Sequence, residues 1–427
     1  MKEKFKLTTL ERNWILYDIA NSAFTLLVST LIPIYFNSLA GAAGVHEDMY
    51  LRYWGYAGSI STVLVAFIAP ICGTLSDRKF KKPFFLLTVL LGCIACACMG
   101  LTTHWLVFLG IFILAKVGFH SSIVFYDSML PEITTEERMD NVSSMGYAYG
   151  YIGSVVPFVI CLVLVLMCDS FGLTMGGAMV CAFLITGIWW AVLSLPLLKS
   201  YRQTAFVDGK GAPLKDSFKQ LVRTFKEAKA EKHVFVYLIA FFFFINGVYT
   251  IIDMATAYGS ALGLDTTGLL LALLLTQIVA FPCAIIFGRL SVKYDTGLLI
   301  KVCIVCYTCI TLFGMFLVSL WQFWVLACLV GMFQGGIQAL SRSYLGKIIR
   351  PERSGEFYGL MDICGKGASF LGTTMVAFVS QITAGVKVNV FGLQLQNENL
   401  AVGSLVILFI IGYLVFCKAD KLNKERA

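Results

Sequence analysis

Twelve stretches of about 20 mostly apolar residues constrain this chain more than any other feature. A helix of that length spans the hydrocarbon core of a bilayer, and in lipid it satisfies its own backbone hydrogen bonds. Hydrophobic residues make up 58% of the 427 residues and charged residues 14%, whereas a soluble domain carries about 25% charged residues. The pattern predicts an all-α membrane protein with twelve transmembrane helices.

The apolar stretches divide evenly between two halves of the chain. Segments 1 to 6 are Asn13–Leu39, Tyr53–Leu75, Phe84–Leu101, Trp105–Leu130, Ser144–Cys168 and Thr174–Leu198. Segments 7 to 12 are Val234–Tyr258, Thr267–Leu290, Leu298–Leu320, Gln322–Leu345, Phe357–Ala384 and Leu400–Cys417. We expect an N-terminal six-helix bundle at 1–198, a cytoplasmic linker at 199–232 and a C-terminal six-helix bundle at 233–427. An amphipathic pattern from Pro213 to Ala230 favours a linker that lies on the membrane surface.

Short strings recur 215 residues apart. Gly73–Arg78 returns as Gly288–Lys293, and Leu130–Ile133 returns as Leu345–Ile348. Matches at one offset indicate two related halves, the organisation of many secondary transporters. The sequence therefore predicts two pseudo-symmetric bundles.

The positive charges indicate the orientation. On one predicted side lie 29 of the 33 Lys and Arg residues, including those at both ends of the chain. Because Lys and Arg concentrate in cytoplasmic loops, both termini are expected in the cytoplasm. This asymmetry accounts for the net charge of +8, so no nucleic-acid partner is indicated. The 14 cysteines lie almost entirely in apolar runs, and we expect no metal and no cofactor.

The loop after segment 2 carries a recognisable motif. It runs from Gly73 through Asp77 and Arg78 to Pro83 and resembles the signature of major facilitator transporters, G-x-x-x-D-R-x-x-[KR]-[KR]. Glycine at 73 permits a tight turn, and Asp77 can lie near the positive end of a neighbouring helix and hold the cytoplasmic side closed. The alternative is a basic loop that only fixes topology. In the second copy Val292 replaces the aspartate, which predicts a weaker contact there.

Further strings carry a narrower resemblance. Segment 1 opens with 14-WILYDIANSAF-24, segment 4 ends with 125-FYDSMLPEI-133, segment 5 contains 146-GYAYGYIG-153 and segment 10 contains 335-GGIQALSRS-343. Together they resemble the vacuole-effluxer, autophagy-related branch of the major facilitators. The resemblance implies a twelve-helix transporter, with amino-acid efflux the role given to fungal vacuolar members. The chain departs from the family at Asp127, where a neutral amide is common. It also lacks the long loops of fungal members, which favours a bacterial cell membrane.

Polar residues follow single faces of four segments at helical spacing. The major facilitator resemblance implies that segments 1, 4, 7 and 10 line a central cavity. A charge in a membrane helix is costly unless it faces water or a partner. The predicted substrate-binding or coupling residues are Asp18, Asn21, Lys116, His120, Asn246, Asp253, Gln338 and Lys366. For His120, helix packing is an equal alternative.

A second set of charged residues is expected to form a cytoplasmic gate. Its members are Asp77, Arg78, Asp127, Arg342 and Asp362. Asp127 and Arg342 occupy equivalent positions of the repeat, and the alternative for both is a surface charge near the lipid headgroups. Asp362 is four residues before Lys366, so a structural ion pair within one helix is the alternative for these two.

Together these features predict a monomeric secondary transporter that moves a small polar solute by alternating access. Mixed charge in the cavity suits a zwitterion, which favours an amino acid coupled to protons. Drugs, organic ions, sugars and organic anions remain open as substrates, and so does a membrane sensor that no longer transports. The sequence contains no nucleotide-binding motif and no nucleophile–base constellation, so neither ATP hydrolysis nor catalysis is expected.

Overall fold

The computed structural model describes residues 6–46, 49–207, 229, 231–383, 388–390, 393–395 and 397–426, and structural statements below concern these residues. The helices of the first half are α1 Thr9–Ser29, α2 Leu31–Ala42, α3 Tyr50–Leu75, α4 Lys81–Cys98, α5 Trp105–Ser128, α6 Leu130–Ile133, α7 Glu136–Leu166 and α8 Met175–Ser200. Those of the second half are α9 Lys232–Ala261, α10 Thr266–Leu290, α11 Thr296–Met315, α12 Leu320–Ile348, α13 Ser354–Ile382, α14 Asn397–Ser404 and α15 Val406–Lys424.

All twelve predicted apolar segments fall on helices, but their boundaries differ in places. Segment 1 is broken at Thr30 into α1 and α2, which meet at an angle of 40°. Helix α7 begins at Glu136, eight residues before its apolar part. Strands β1 (Val388–Val390) and β2 (Leu393–Leu395) form an antiparallel hairpin in which Asn389 faces Gln394. The amphipathic stretch predicted from Pro213 to Ala230 lies outside the described residues, apart from position 229.

Most of the long helices that the structure describes are long and apolar enough to cross a membrane. Nine stretches pass a test of length and apolar composition, and the bent pair α1 and α2 makes a tenth. One of the nine, Arg52–Leu101, covers both α3 and α4. Helix α13 contributes a shorter apolar stretch, Leu371–Ile382. The protein is therefore an integral, multi-pass membrane protein.

Local sequence explains where several helices begin. Thr8 and Glu11 form a capping box at the start of α1: the Thr8 hydroxyl accepts from the Glu11 N–H (3.2 Å), and the Glu11 carboxylate accepts from the Thr8 N–H (2.7 Å). Ser319 and Gln322 form the corresponding box at the start of α12. Such boxes satisfy N–H groups that have no acceptor inside the helix.

The chain folds into two compact units. Unit 1 comprises Met1–Thr135, Tyr149–Leu221 and Pro351–Gly359; unit 2 comprises Glu136–Ala148, Val222–Arg350 and Leu360–Ala427. Each unit thus includes a short piece of the other half of the chain, 351–359 in unit 1 and 136–148 in unit 2, which we call the exchanged segments. The domain boundaries expected from sequence stay a prediction.

The two units use equivalent positions of the repeat in their cores. In unit 1 the indole of Trp14 donates to the Tyr126 carbonyl (3.0 Å) and stacks on its ring at 4.3 Å. In unit 2 the hydroxyl of Tyr237 donates to the carbonyl of Ser341 (2.6 Å), 215 residues after Tyr126. In each half, the carbonyl at the equivalent repeat position thus accepts a hydrogen bond from the first long helix.

Candidate functional site

The turn between α3 and α4 holds the first residues of α13 through Asp77. This side chain is 3% exposed, and its carboxylate oxygens accept hydrogen bonds from the backbone N–H groups of Gly355 (2.7 Å) and Glu356 (2.9 Å). Those N–H groups lie in the first turn of α13, where no carbonyl within the helix can accept them. A carboxylate there also meets the positive end of the helix dipole, so the contact is electrostatically favourable.

Gly73 has a different role from the one that its motif suggests. It lies inside α3, and a Cβ added to it would come within 2.5 Å of the Gly355 carbonyl oxygen. The residue that turns the chain is Lys79, whose φ of 66° is in the left-handed region. The prediction that Gly73 makes the turn is therefore wrong. Glycine is needed at 73 because the α13 backbone approaches α3 closely.

Next to this turn, Lys81 and Glu132 form a buried ion pair. Both side chains are almost fully buried, at 0% and 1% exposure. The Lys81 ammonium also donates to the Ser128 carbonyl (3.0 Å) and to the Ser354 hydroxyl (3.2 Å). Since two charges removed from water need close partners, this network links α4, α6 and the exchanged segment firmly.

The start of the linker is fixed to the same turn, as an extended stretch from Tyr201 to Val207. Glu132 accepts hydrogen bonds from the Tyr201 hydroxyl (3.0 Å) and from the Thr204 N–H (2.7 Å). The Gln203 amide donates to the Ser76 carbonyl (2.6 Å), and the Val207 N–H donates to the Asp77 carbonyl (2.7 Å). The Lys79 ammonium lies 3.8 Å from the centre of the Phe206 ring. The linker therefore begins on the loop that binds α13.

Unit 2 has contacts at the equivalent positions, with a different distribution of charge. Lys347 and Thr296 stand 215 residues after Glu132 and Lys81, and they also touch, with the ammonium 3.0 Å from the hydroxyl. Asp140 of the exchanged segment completes the cluster by accepting from Lys347 (2.7 Å) and Thr296 (2.6 Å). In unit 1 the acid belongs to the bundle, and in unit 2 it belongs to the exchanged segment.

Arg342 also binds the exchanged segment of unit 2. Its guanidinium donates to the hydroxyl (2.9 Å) and the carbonyl (3.0 Å) of Ser143 and lies 4.4 Å from the centre of the Tyr147 ring. The side chain is 3% exposed, so the alternative of a surface charge is wrong for Arg342. Its repeat equivalent Asp127 is only half-buried, as are Arg78 and Asp362.

Unit 1 places four predicted substrate residues on two helices. On α1, Asp18 is 7% exposed and Asn21 is 4% exposed, with the Asn21 amide donating to the Tyr17 carbonyl (2.8 Å). On α5, Lys116 and His120 are half-buried. The Lys116 ammonium lies 5.8 Å from the Phe112 ring centre, and His120 packs edge-on against Phe119. A carboxylate and an ammonium thus both lie within apolar helices of this unit.

Unit 2 holds the other predicted substrate residues. Asn246 is fully buried in α9, where its side-chain oxygen accepts from Thr250 (3.4 Å). The amide nitrogen of Asn246 has no hydrogen-bond partner among the described residues. Asp253 is exposed and Gln338 is half-buried. The side chain of Lys366 lies outside the described part of the structure, and so does its predicted pairing with Asp362.

Several of these contacts were not predicted from the sequence. Glu132, Lys81, Asp140 and Lys347 form the two charge clusters, and none of them was among the predicted site residues. The repeat aligns Glu132 with Lys347 and Lys81 with Thr296, but the residue types differ and give no signal of a shared cluster. Within the described residues, no group of three or more His, Cys, Asp or Glu side chains could hold a metal ion.

Two compact helical units, a loop that carries the motif and binds a helix N-terminus, and charges inside apolar helices together define a secondary transporter of the major facilitator type. A solved structure agrees: the human organic anion transporter MFSD10 has the same fold at a TM-score of 0.71, with 15% identity over 96% of this chain and 99% of that one.

The sequence comparisons identify the family. The chain belongs to the family described as "Vacuole effluxer Atg22 like", which matches residues 53–421. It is 36% identical to the uncharacterised MFS-type transporter YxiO of Bacillus subtilis, over 96% of this chain and 94% of that protein. It is also 24% identical to autophagy-related protein 22 of Coccidioides immitis, over 84% of this chain and 67% of that protein. The family and fold predicted from the sequence are confirmed.

Proposed function

We propose that this transporter moves a small polar solute, with an amino acid favoured, by alternating access coupled to protons. The observation that carries the proposal is the presence of both charge signs inside apolar helices, with Asp18 buried in α1 and Lys116 half-buried in α5. A zwitterion offers an ammonium to the first and a carboxylate to the second. Within unit 2, Asn246 has a buried amide nitrogen without a hydrogen-bond partner among the described residues, and it is a further member of the proposed set.

Proton coupling follows from the same chemistry. Asp18 and Asp253 carry carboxylates and His120 an imidazole, and such groups exchange protons when a conformational change alters their exposure. The remaining predicted residues, Asn21, Gln338 and Lys366, complete the substrate or coupling set. Asp77, Arg78, Asp127, Arg342 and Asp362 are proposed to form the gate. The cytoplasmic membrane of a bacterium is the proposed location, in keeping with the Bacillus relative.

The test is uptake into proteoliposomes of a labelled amino-acid panel, with and without a pH gradient. Wild-type protein should accumulate at least one amino acid, and a pH gradient should raise the plateau. Asp18→Asn and Lys116→Ala should each abolish accumulation, whereas the exposed controls Asp169→Asn and Lys199→Ala should not.

The outcomes separate the solute class from the transporter class. If every amino acid fails to exchange while a sugar, an organic anion or a lipophilic cation is taken up, the zwitterion assignment is wrong. If Asp18→Asn and Lys116→Ala both accumulate amino acids normally, the roles of these two residues are wrong. If no solute of any class moves, a sensor without transport becomes the better account.

A further inference from the structure

Unit 2 encloses a cavity that lies apart from the charge clusters described above. Its volume is about 320 Å³, and it is lined by residues of helices α9 to α14 and by Leu405, which lies between α14 and α15. The lining is mostly aliphatic and aromatic, with Tyr258, Phe323 and Leu326 among its largest side chains. Cavities of this size and character accommodate small organic molecules.

The hydroxyl donors around the cavity are already committed to the protein. Tyr258 donates to the Gly314 carbonyl (2.8 Å), Thr276 to the Ala272 carbonyl (3.0 Å) and Thr311 to the Tyr307 carbonyl (2.7 Å). The Thr276 and Thr311 bonds lie within their own helices, and the Tyr258 bond joins α9 to α11. In each case the hydroxyl hydrogen is unavailable to a ligand.

Glu398 is the exception in this lining. It is in the first turn of α14, and one of its carboxylate oxygens is buried without a hydrogen-bond partner among the described residues. The neighbouring Asn399 amide donates to the Tyr258 hydroxyl (2.9 Å) instead. Because that buried oxygen has no donor among the described residues, a cation or an N–H donor that enters the cavity would supply the missing hydrogen bond.

We propose that this cavity binds a lipophilic primary or secondary amine in its protonated form. The ammonium would donate to Glu398, and the apolar body would fill the space beside Phe323 and Leu326. The described lining contains no Lys, Arg or His, and its amide donors Gln277 and Gln334 are neutral, so a zwitterion or an anion would have no counter-ion there for its negative group. The site thus selects a different class of molecule from the proposed transport substrate, and it stands independently of that proposal.

Two matched probes test the site on the full-length protein in detergent. The first is 1-adamantanemethylamine, which carries an ammonium, and the second is 1-adamantanemethanol, which has nearly the same shape and no charge. Thermal unfolding followed by tryptophan fluorescence gives an apparent Kd for each, because a ligand that binds the folded state raises Tm. We expect the amine to bind about 10- to 100-fold more tightly than the alcohol, the range of one charge-assisted hydrogen bond.

Variants assign the preference to this cavity. Glu398→Gln should remove the difference between the probes, and Asp169→Asn, an exposed acid of unit 1, should preserve it. Ala401→Leu keeps the acid and fills part of the cavity, so it should weaken both probes about tenfold. The proposal is overturned if the two probes bind wild type equally, or if the preference survives in Glu398→Gln. If Glu398→Gln does not fold, unchanged binding of both probes to Ala401→Leu overturns it.

Discussion

Asp77 is the single residue on which the packing of the exchanged segment in unit 1 depends most. Its two oxygens accept two N–H groups of one helix end, and it is buried. Asp77→Asn removes the charge and replaces one acceptor oxygen with an NH2 group. That group is a donor and would face a backbone N–H, which is also a donor. We expect a loss of about 1–3 kcal/mol of stability, measured as a lower Tm of the purified protein, together with reduced transport.

The repeat supplies a matched control for this prediction. Val292 occupies the equivalent position of the second half and is 69% exposed. Val292→Asn introduces the same residue at an exposed position whose side chain binds no helix N-terminus. The change in stability should remain within about 0.5 kcal/mol. Equal Tm values for Asp77→Asn and wild type would show that the two hydrogen bonds contribute nothing to the fold.

The buried pair of Lys81 and Glu132 makes a second prediction at this scale. Glu132→Gln preserves size but leaves the Lys81 ammonium, which is fully buried, with neutral acceptors only. Removing one partner of a buried ion pair costs about 3–5 kcal/mol, because the remaining charge is uncompensated. The double variant Glu132→Gln, Lys81→Met should recover most of this loss in thermal unfolding. A double variant that is less stable than Glu132→Gln alone would contradict the explanation.

At the level of whole helices, α9 and α13 pack so closely that one position admits only glycine. A Cβ at Gly372 would overlap the side-chain oxygens of Thr250 and Asn246. Gly372→Ala should therefore destabilise the protein by about 1–3 kcal/mol, as overpacking does. Gly110→Ala in α5 is the control, since its Cβ would meet nothing within 4 Å and alanine favours a helix.

The measurement for this pair is again the unfolding temperature in detergent. Gly372→Ala should lower it, and Gly110→Ala should leave it unchanged or raise it. Because the overlap involves a hydroxyl, adding Thr250→Ala to Gly372→Ala should restore part of the loss. If Gly372→Ala has the same Tm as wild type, α9 and α13 are further apart than the overlap at Gly372 requires.

The helices illustrate which features a sequence can specify. Apolar runs located all twelve segments, since lipid imposes one length and one hydrogen-bonding solution on each. They missed the first turns of α7, because residues 136–143 are polar and are covered by unit 2 rather than by lipid. They also missed the break at Thr30, for which periodicity gives no signal.

The residues of the candidate site also divide into those that the sequence predicted and those that it did not. The motif identified Asp77 as a gate candidate, and helical periodicity placed Asp18, Asn21 and Asn246 among the residues expected to line a cavity; the structure shows all three to be buried. The charge clusters depend on tertiary contacts, so the sequence could not identify Glu132 as the partner of Lys81, Asp140 as that of Lys347, or Ser143 as that of Arg342. Gly73 was assigned to a turn because local rules favour glycine there, whereas a backbone of another helix sets its requirement.

Across the whole molecule, duplication preserved the frame of the two charge clusters while their charges diverged. Lys81 with Glu132 and Thr296 with Lys347 are the same pair of positions, yet the acid of the second cluster comes from Asp140 of the exchanged segment. The repeat therefore conserves where the contacts form. The halves differ in which residue carries which charge, so the two charge clusters are not equivalent in a transport cycle.

The orientation of the whole chain is the last quantity that the sequence predicts and an experiment can measure. With 29 of 33 Lys and Arg residues on one side, including those at both ends, both termini should be cytoplasmic. A green fluorescent protein fused to either terminus in a bacterial host should fluoresce, and alkaline phosphatase fused at the same points should stay inactive. Phosphatase fused in the loop between α7 and α8, at Asp169, should be active because the charge argument predicts that loop on the opposite side. Termini on opposite faces would require an odd number of spans and would contradict both the charge argument and the twelve-helix count.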